Sequence, residues 1–202
     1  MTDRRTTRKR DMDYWMTVSA WRHEEEQRAR LAADNFRAGY NCAQSVALAF
    51  ADAYGIGKPL MARIAASFGA GIGRMRETCG AACAIFLLAG LEVSNAADDV
   101  LPHDAPESLN PYPDISVKRK DYEVVQRLAA DFRSAAGSIV CRELLGLNKL
   151  RADGKLPQIA ILPDPEPRTE EYYRKRPCVR MVETAARIYV KYLREKYSRG
   201  AV

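Results

Sequence analysis

Cysteine is the residue type in this chain whose number and placement point most directly to chemistry. Of the 202 residues five are cysteines, at positions 42, 79, 83, 141 and 178. Cys42 directly follows Asn41, a strong helix N-cap type, and Cys79 follows Thr78, another. Cys141 falls in the first turn after Ser138, and Cys178 follows Pro177, which suits a first helical turn. Cys42, Cys79, Cys141 and Cys178 are therefore each expected in the first turn of a different helix. There the free N–H groups and the positive end of the helix dipole favour a thiolate, the form that attacks disulfides and binds metals.

Cys83 is different, lying one turn inside the helix that Cys79 opens. Side chains at i and i+4 stand about 5–6 Å apart at Cβ, too far for an unstrained disulfide. Cys83 is read as a small residue filling a helix contact, with an extra ligand or resolving thiol as the alternative. No CxxC or CxxCH occurs, which removes zinc-finger spacing and covalent c-type haem. His23 and His103 lie in a charged helix and a polar loop, away from the thiols in sequence. A thiol site must therefore be assembled by tertiary folding.

The elements that would do this are helical. The stretch 20–37 reads as an amphipathic helix with Trp21, Ala29, Leu31, Ala32 and Phe36 inward, stopped at Gly39. Asn41 and Gln44 make a capping-box start for an apolar helix that Gly55 ends. A short helix covers 59–69. "GAGIGR" holds Gly69, Gly71 and Gly73 but lacks the strand before and the Lys-Ser/Thr after that a phosphate loop needs, so it is a tight turn joining helix ends. Arg74 just beyond is placed to lower the pKa of Cys79 or to offset an anionic cluster. "TCGAACAIFLLAG" is apolar nearly all round and should be the buried central helix. Residues 118–136 form a fifth helix with Tyr122, Val125, Leu128, Ala129 and Phe132 on one stripe, "SIVCRELLG" starts a sixth, and the final helix follows Pro177. "PEPRTEEYYRKRPC" reads as a loop anchored by Tyr172 and Tyr173.

The fold class is all-α: a single-domain bundle of about six to seven helices with two long loops. Residues 1–17 are read as a basic, disordered tail and 18–202 as the helical domain. The first ten residues carry five basic side chains against Asp3, most of the net charge of +6, so the body is nearly neutral and nucleic acid is not the expected partner. The longest apolar run, 81–91, is too short to span a bilayer, and no signal-type segment follows the N-terminal charges. A cytoplasmic location is expected. A homodimer is compatible with the loops, though no residue fixes a symmetry, and the redox partner has no signature.

Four blocks, "NCAQSV", "GAGIGRMRETCGA", "SIVCRELLG" and "RPCVRMVETAA", resemble in that order the C_GCAxxG_C_C family of redox-active proteins, over residues 28–195. The resemblance makes Cys42, Cys79, Cys141 and Cys178 the working thiols. Two departures stand out: Ala84 replaces the family's glycine, and Cys83 stands where a small non-cysteine residue is usual. Three functions follow. The leading one is electron transfer through an iron–sulfur cluster, [2Fe–2S] or [4Fe–4S], held by those four thiolates. The second is a metal-free thiol–disulfide oxidoreductase or redox sensor with Cys79 as attacking thiolate. The third is a helical binding or scaffold module with structural zinc or merely buried cysteines.

Overall fold

Small apolar residues let helices approach closely, and this chain concentrates them in two segments that pack together. The computed structural model describes residues 18–94, 115–149 and 162–199; the basic tail, the loop 95–114, residues 150–161 of the second loop and the last three residues lie outside that description. The helices are α1 (Val18–Arg37), α2 (Cys42–Leu48), α3 (Lys58–Ala65), α4 (Gly80–Ser94), α5 (Ile115–Ala136), α6 (Cys141–Leu144), α7 (Glu170–Lys175) and α8 (Cys178–Arg199). The expected all-α architecture is what the described residues show. Their β-type contact is an isolated bridge between Thr78 and Val140.

The apolar run "TCGAACAIFLLAG" becomes α4, at the centre of the bundle. Ala81, Ala82, Cys83, Ala84, Ile85, Leu88 and Ala89 are all buried, and α4 packs on α2, α5 and α8. Against it α2 presents Ala43, Val46 and Ala47, fully buried. The methyl-sized side chains on both helices bring their backbones together. Around this pair α1 and α8 pack on each other, with Ala29, Ala32 and Phe36 from one and Met181, Val182, Ala185 and Tyr189 from the other. Those spacings of three and four residues form the helical stripes that bury apolar surface.

Two expected core positions turn outward. Leu31 is 36% exposed and its place on α1 is taken by Ala33; Tyr122 is 59% exposed, so α5 meets the core with Leu128 and Phe132 buried and Val125 packed against it. The α2 start matches expectation in detail. Asn41 Oδ1 accepts from the N–H groups of Ala43 and Gln44, and Gln44 Oε1 accepts from Asn41 N–H, a complete capping box.

At the far end of α4 from the cysteines, Glu92 is 3% exposed and accepts from Lys196 Nζ at 2.5 Å, Tyr197 OH at 2.5 Å and Tyr54 OH at 3.0 Å. A buried carboxylate is tolerated because each oxygen is satisfied. Tyr189 donates to Leu88 O at 2.9 Å and its hydroxyl also meets Tyr54 OH, which fastens α8 to α4.

The glycine-rich turn has unusual backbone. Ala70, Gly71, Ile72, Gly73 and Arg74 all have φ between 54° and 76°, and Arg76 joins them at 64°. Five consecutive residues thus share left-handed φ in one turn. Each non-glycine there costs about 1–2 kcal/mol, most for a β-branched side chain. Ile72→Gly removes such a cost at a half-buried position outside the main core, so we expect it to stabilise the protein by about 1 kcal/mol in urea denaturation.

Candidate functional site

Four of the five cysteines line one cavity. Cys42, Cys79, Cys141 and Cys178 face it together with Arg76, Arg176, Tyr172, Met181 and the backbone of Gly71 and Gly80. Its volume is about 30 Å³, room for little more than two waters at about 10–15 Å³ each. The four thiols come from four elements, and each arrives by a local device.

Cys42 is the first residue of α2, fixed by the Asn41 capping box. Cys79 stands immediately before α4, one residue earlier in the helix than expected, so it occupies the capping position itself. Its sulfur accepts hydrogen bonds from the N–H groups of Ala81 and Ala82. Gly80 lets the two helix starts meet: a Cβ there would lie 2.7 Å from Phe68 O, 3.2 Å from Ala43 N and 3.2 Å from Cys42 Cβ.

Cys141 reaches the site through an antiparallel pairing of 76–79 with 139–142. Cys79 N–H donates to Ile139 O at 2.7 Å, Cys141 N–H to Glu77 O at 2.6 Å and Arg142 N–H to Arg76 O at 3.0 Å. The left-handed turn presses on the same residue, since a Cβ on Gly71 would lie 2.6 Å from Cys141 Cβ. Cys178 is the first residue of α8, where Met181 N–H donates to Pro177 O at 3.0 Å. Cys83 does not line the cavity; its Sγ points back to Thr78 O at 3.8 Å.

The four thiols are not equivalent. Burial pushes Cys79 up to about 12 despite its two N–H partners, and pushes Cys83 up to about 11. Burial also raises Cys141, against the Arg76 guanidinium beside it. Cys42 is raised well above the ordinary thiol range, first by its hydrogen bond to Cys178 and then by burial. Cys178 alone among the five is lowered: Cys42 donates a hydrogen bond to it, and Arg176, Arg168 and Arg76 supply positive charge that outweighs its burial. It is also the cysteine with the greatest exposure, half-buried where the other four are buried.

Cys79 is the position expected to attack. Its helix-start surroundings are present, but 4% exposure costs its anion more than the dipole returns. Arg74, expected beside it, turns away from the cavity: its Nε donates to Leu162 O at 2.8 Å and its Nη2 lies 3.8 Å from Glu166. Arg76, two residues on and 7% exposed at its side chain, faces the thiols in its place, together with Arg176.

The segment before Cys178, expected as an anchor, also supplies groups to the cavity. Tyr172 and Tyr173 do anchor it, on Phe36 with ring centroids 6.5 and 6.0 Å apart, but Tyr172 also lines the cavity. Arg168 lies over the rings of Phe36 and Tyr172 at 4.2 and 5.2 Å, and Arg176 over Tyr172 at 4.9 Å. The density of Arg and Tyr next to a cysteine was the available signal. His23 is exposed on α1 and His103 lies outside the described residues.

Among the described residues no group of three or more His, Cys, Asp or Glu side chains is arranged to hold a metal ion. No described helix is long and apolar enough to cross a membrane. No curated protein matches the chain, and no solved structure does. A family model described as "Putative redox-active protein (C_GCAxxG_C_C)" matches residues 40–192. That span takes in every cysteine of the chain and all the described elements from the α2 capping box to the middle of α8. The chain belongs to the C_GCAxxG_C_C family.

Proposed function

We propose that the protein is a thiol–disulfide redox protein in which Cys178 attacks and Cys42 resolves. The observation that carries this reading is the asymmetric pair that lines the cavity: Cys178, held below the ordinary thiol range by Cys42 and the nearby arginines, and Cys42, held well above it by Cys178 and by burial. The cycle follows from those states. Cys178 Sγ, as the thiolate, attacks one sulfur of a substrate disulfide, the S–S bond breaks and the far sulfur leaves as a thiolate. Cys42 gives its proton to that departing sulfur and attacks Cys178 Sγ. The second substrate thiolate is released and a Cys42–Cys178 disulfide remains. Two electrons have passed from the dithiol to the substrate, and a reduced thiol donor returns them. A reducing compartment such as the cytoplasm suits a resting dithiol.

Thiol counting tests the pair. Mild oxidation of the Cys83→Ala protein is expected to remove two thiols and to give one cross-linked peptide joining Cys42 to Cys178. An unchanged count, or a cross-link elsewhere, overturns the assignment. The pH dependence has a definite sign: because Cys178 is lowered, its alkylation rate levels off below the ordinary thiol range, and Arg176→Gln moves that plateau to higher pH.

A second reading is favoured by the convergence of all four family cysteines on one cavity. Four thiols at helix starts, with Arg76 and Arg176 facing them, are the donor type an anionic iron–sulfur cluster uses, though the cavity of about 30 Å³ would have to widen to take one. Cys42, Cys79, Cys141 and Cys178 would hold it, and it would supply one-electron transfer. In that case the N–H groups of Ala81 and Ala82 would stabilise the Cys79 sulfur, and the two arginines would balance negative charge. Iron and sulfide in equal amounts in anaerobically purified protein, lost in each of the four Cys→Ala variants but kept in Cys83→Ala, would replace the dithiol reading. Tight zinc without redox activity would instead support a structural centre.

A further inference from the structure

The cavity holds sulfur chemistry, but the groups at its mouth recognise something else. Glu166 Oε2 accepts from Arg176 Nη2 at 2.5 Å and its Oε1 from Arg76 Nη2 at 3.4 Å, with Arg74 Nη2 at 3.8 Å. Three guanidinium groups thus share one carboxylate. A fourth, Arg168, is held beside them by Phe36 O at 2.9 Å and Tyr40 O at 3.2 Å. The arginines are largely buried, with side chains 7% to 20% exposed for Arg76, Arg74 and Arg176, whereas Glu166 is 41% exposed. Burying cations around a surplus of positive charge is costly, and a fold retains it where an anion is to be bound. Glu166 is the loosest member, because an exposed carboxylate in an ion pair is screened by solvent and contributes little.

Size supplies the other half of the argument. About 30 Å³ beside the thiols admits a sulfur and an adjoining methylene, not a bulky substituent. Whatever else the substrate carries must stay at the mouth, against Arg76 and Arg176. Arg176 is two residues from Cys178 and Arg76 lines the same wall as Cys141, so a carboxylate bound there would lie a few bonds from a sulfur entering the cavity.

We infer that the substrate is a small disulfide bearing carboxylates, and that Glu166 is a built-in stand-in for the substrate carboxylate, displaced when substrate binds Arg76 and Arg176. This rests on the dithiol reading above. Substrate binding would exchange one carboxylate for another, so the buried arginines are never left without a counter-charge. The covalent step is unchanged: Cys178 Sγ bonds to the nearer substrate sulfur and the carboxylate-bearing thiolate on the far side departs.

The test uses three disulfides of matched length, 3,3′-dithiodipropionate, 2-hydroxyethyl disulfide and cystamine, with the reduced full-length protein. Each rate is divided by that of the same disulfide with free 2-mercaptoethanol, which removes intrinsic reactivity. The expected order is anionic, then neutral, then cationic, with at least about a fivefold step between the first two at low salt that shrinks in 0.5 M NaCl. Glu166→Gln should widen the anionic-to-neutral ratio several-fold, because the competing carboxylate is gone. Arg176→Gln slows every disulfide through Cys178 but should also collapse the ratio. Equal normalised rates for the three probes, or a ratio unmoved by Glu166→Gln, overturn the substrate assignment and leave the dithiol function standing. Failure of all three probes to react overturns the dithiol reading and this inference with it.

Discussion

Cys178→Ser is expected to reduce disulfide turnover by at least about a thousandfold, with the fold intact. The magnitude follows from what remains. At pH 7 a thiol at about 12 is ionised in roughly one molecule in 10⁵, so Cys79 cannot take over, and Cys42 too is raised well above the ordinary thiol range. Serine preserves the size and hydrogen-bonding capacity at the start of α8, so circular dichroism and urea denaturation should be close to those of the parent. Cys42→Ser has a different signature. Attack still occurs, the mixed disulfide has no resolving thiol, and a stable adduct of one substrate half per chain should accumulate, visible by mass spectrometry. Equal activity in the two variants and the parent would remove the pair from the mechanism.

The second large effect is structural. Gly80→Ala should cost about 2 kcal/mol or more, although alanine is the better helix former by about 1 kcal/mol. The added methyl would enter the space of Phe68 O, Ala43 N and Cys42 Cβ, two of which are backbone atoms that move only with their helices. Overpacking of this kind typically costs about 1–3 kcal/mol on its own, and here relief requires α2 and α4 to separate. Because those two helix starts carry Cys42 and Cys79, the same change should also slow Cys178 alkylation. Gly73→Ala is the internal control. Its φ is +55° but nothing lies within 4 Å, so it should lose only the backbone cost of about 1 kcal/mol and keep the thiol chemistry. A Gly80→Ala protein as stable as the parent would mean that the helix starts are not in contact.

How far the sequence speaks for itself varies with the kind of signal. Local devices are legible: the Asn41 and Gln44 box, the all-apolar α4 and Pro177 before α8 each sit within a few residues of what they determine. The grouping of four cysteines at helix starts follows from them. Leu31 and Tyr122 were placed inward because a stripe of apolar residues fixes a helix face only to within one position, and the crossing of α1 with α8 and of α5 with α4 decides the rest. The thiol we propose as reactive could not be read at all from spacing. It depends on Arg76, carried inward by a left-handed turn that only Gly71 and Gly73 hint at, and on Arg168 and Arg176, about 90 and 100 residues further along. Dipole arguments at Cys79 were correct in kind; burial, a tertiary quantity, outweighed them.

The pairing of 76–79 with 139–142 has a consequence for how the protein is made. Those few hydrogen bonds join segments about 60 residues apart, and Cys42 meets Cys178 across about 136 residues, so the loop-closure entropy of both contacts must be met before either thiol has its final neighbours. Each helix can form early from its own caps, yet the cavity exists only once the last helix has docked. Until then the five thiols lie on four separate helix starts, Cys79 and Cys83 sharing one, with ordinary acidity and no chosen partner. Oxidation during synthesis would therefore trap wrong cross-links that the finished bundle forbids, and the chain acquires its selectivity among cysteines at the moment it completes its fold.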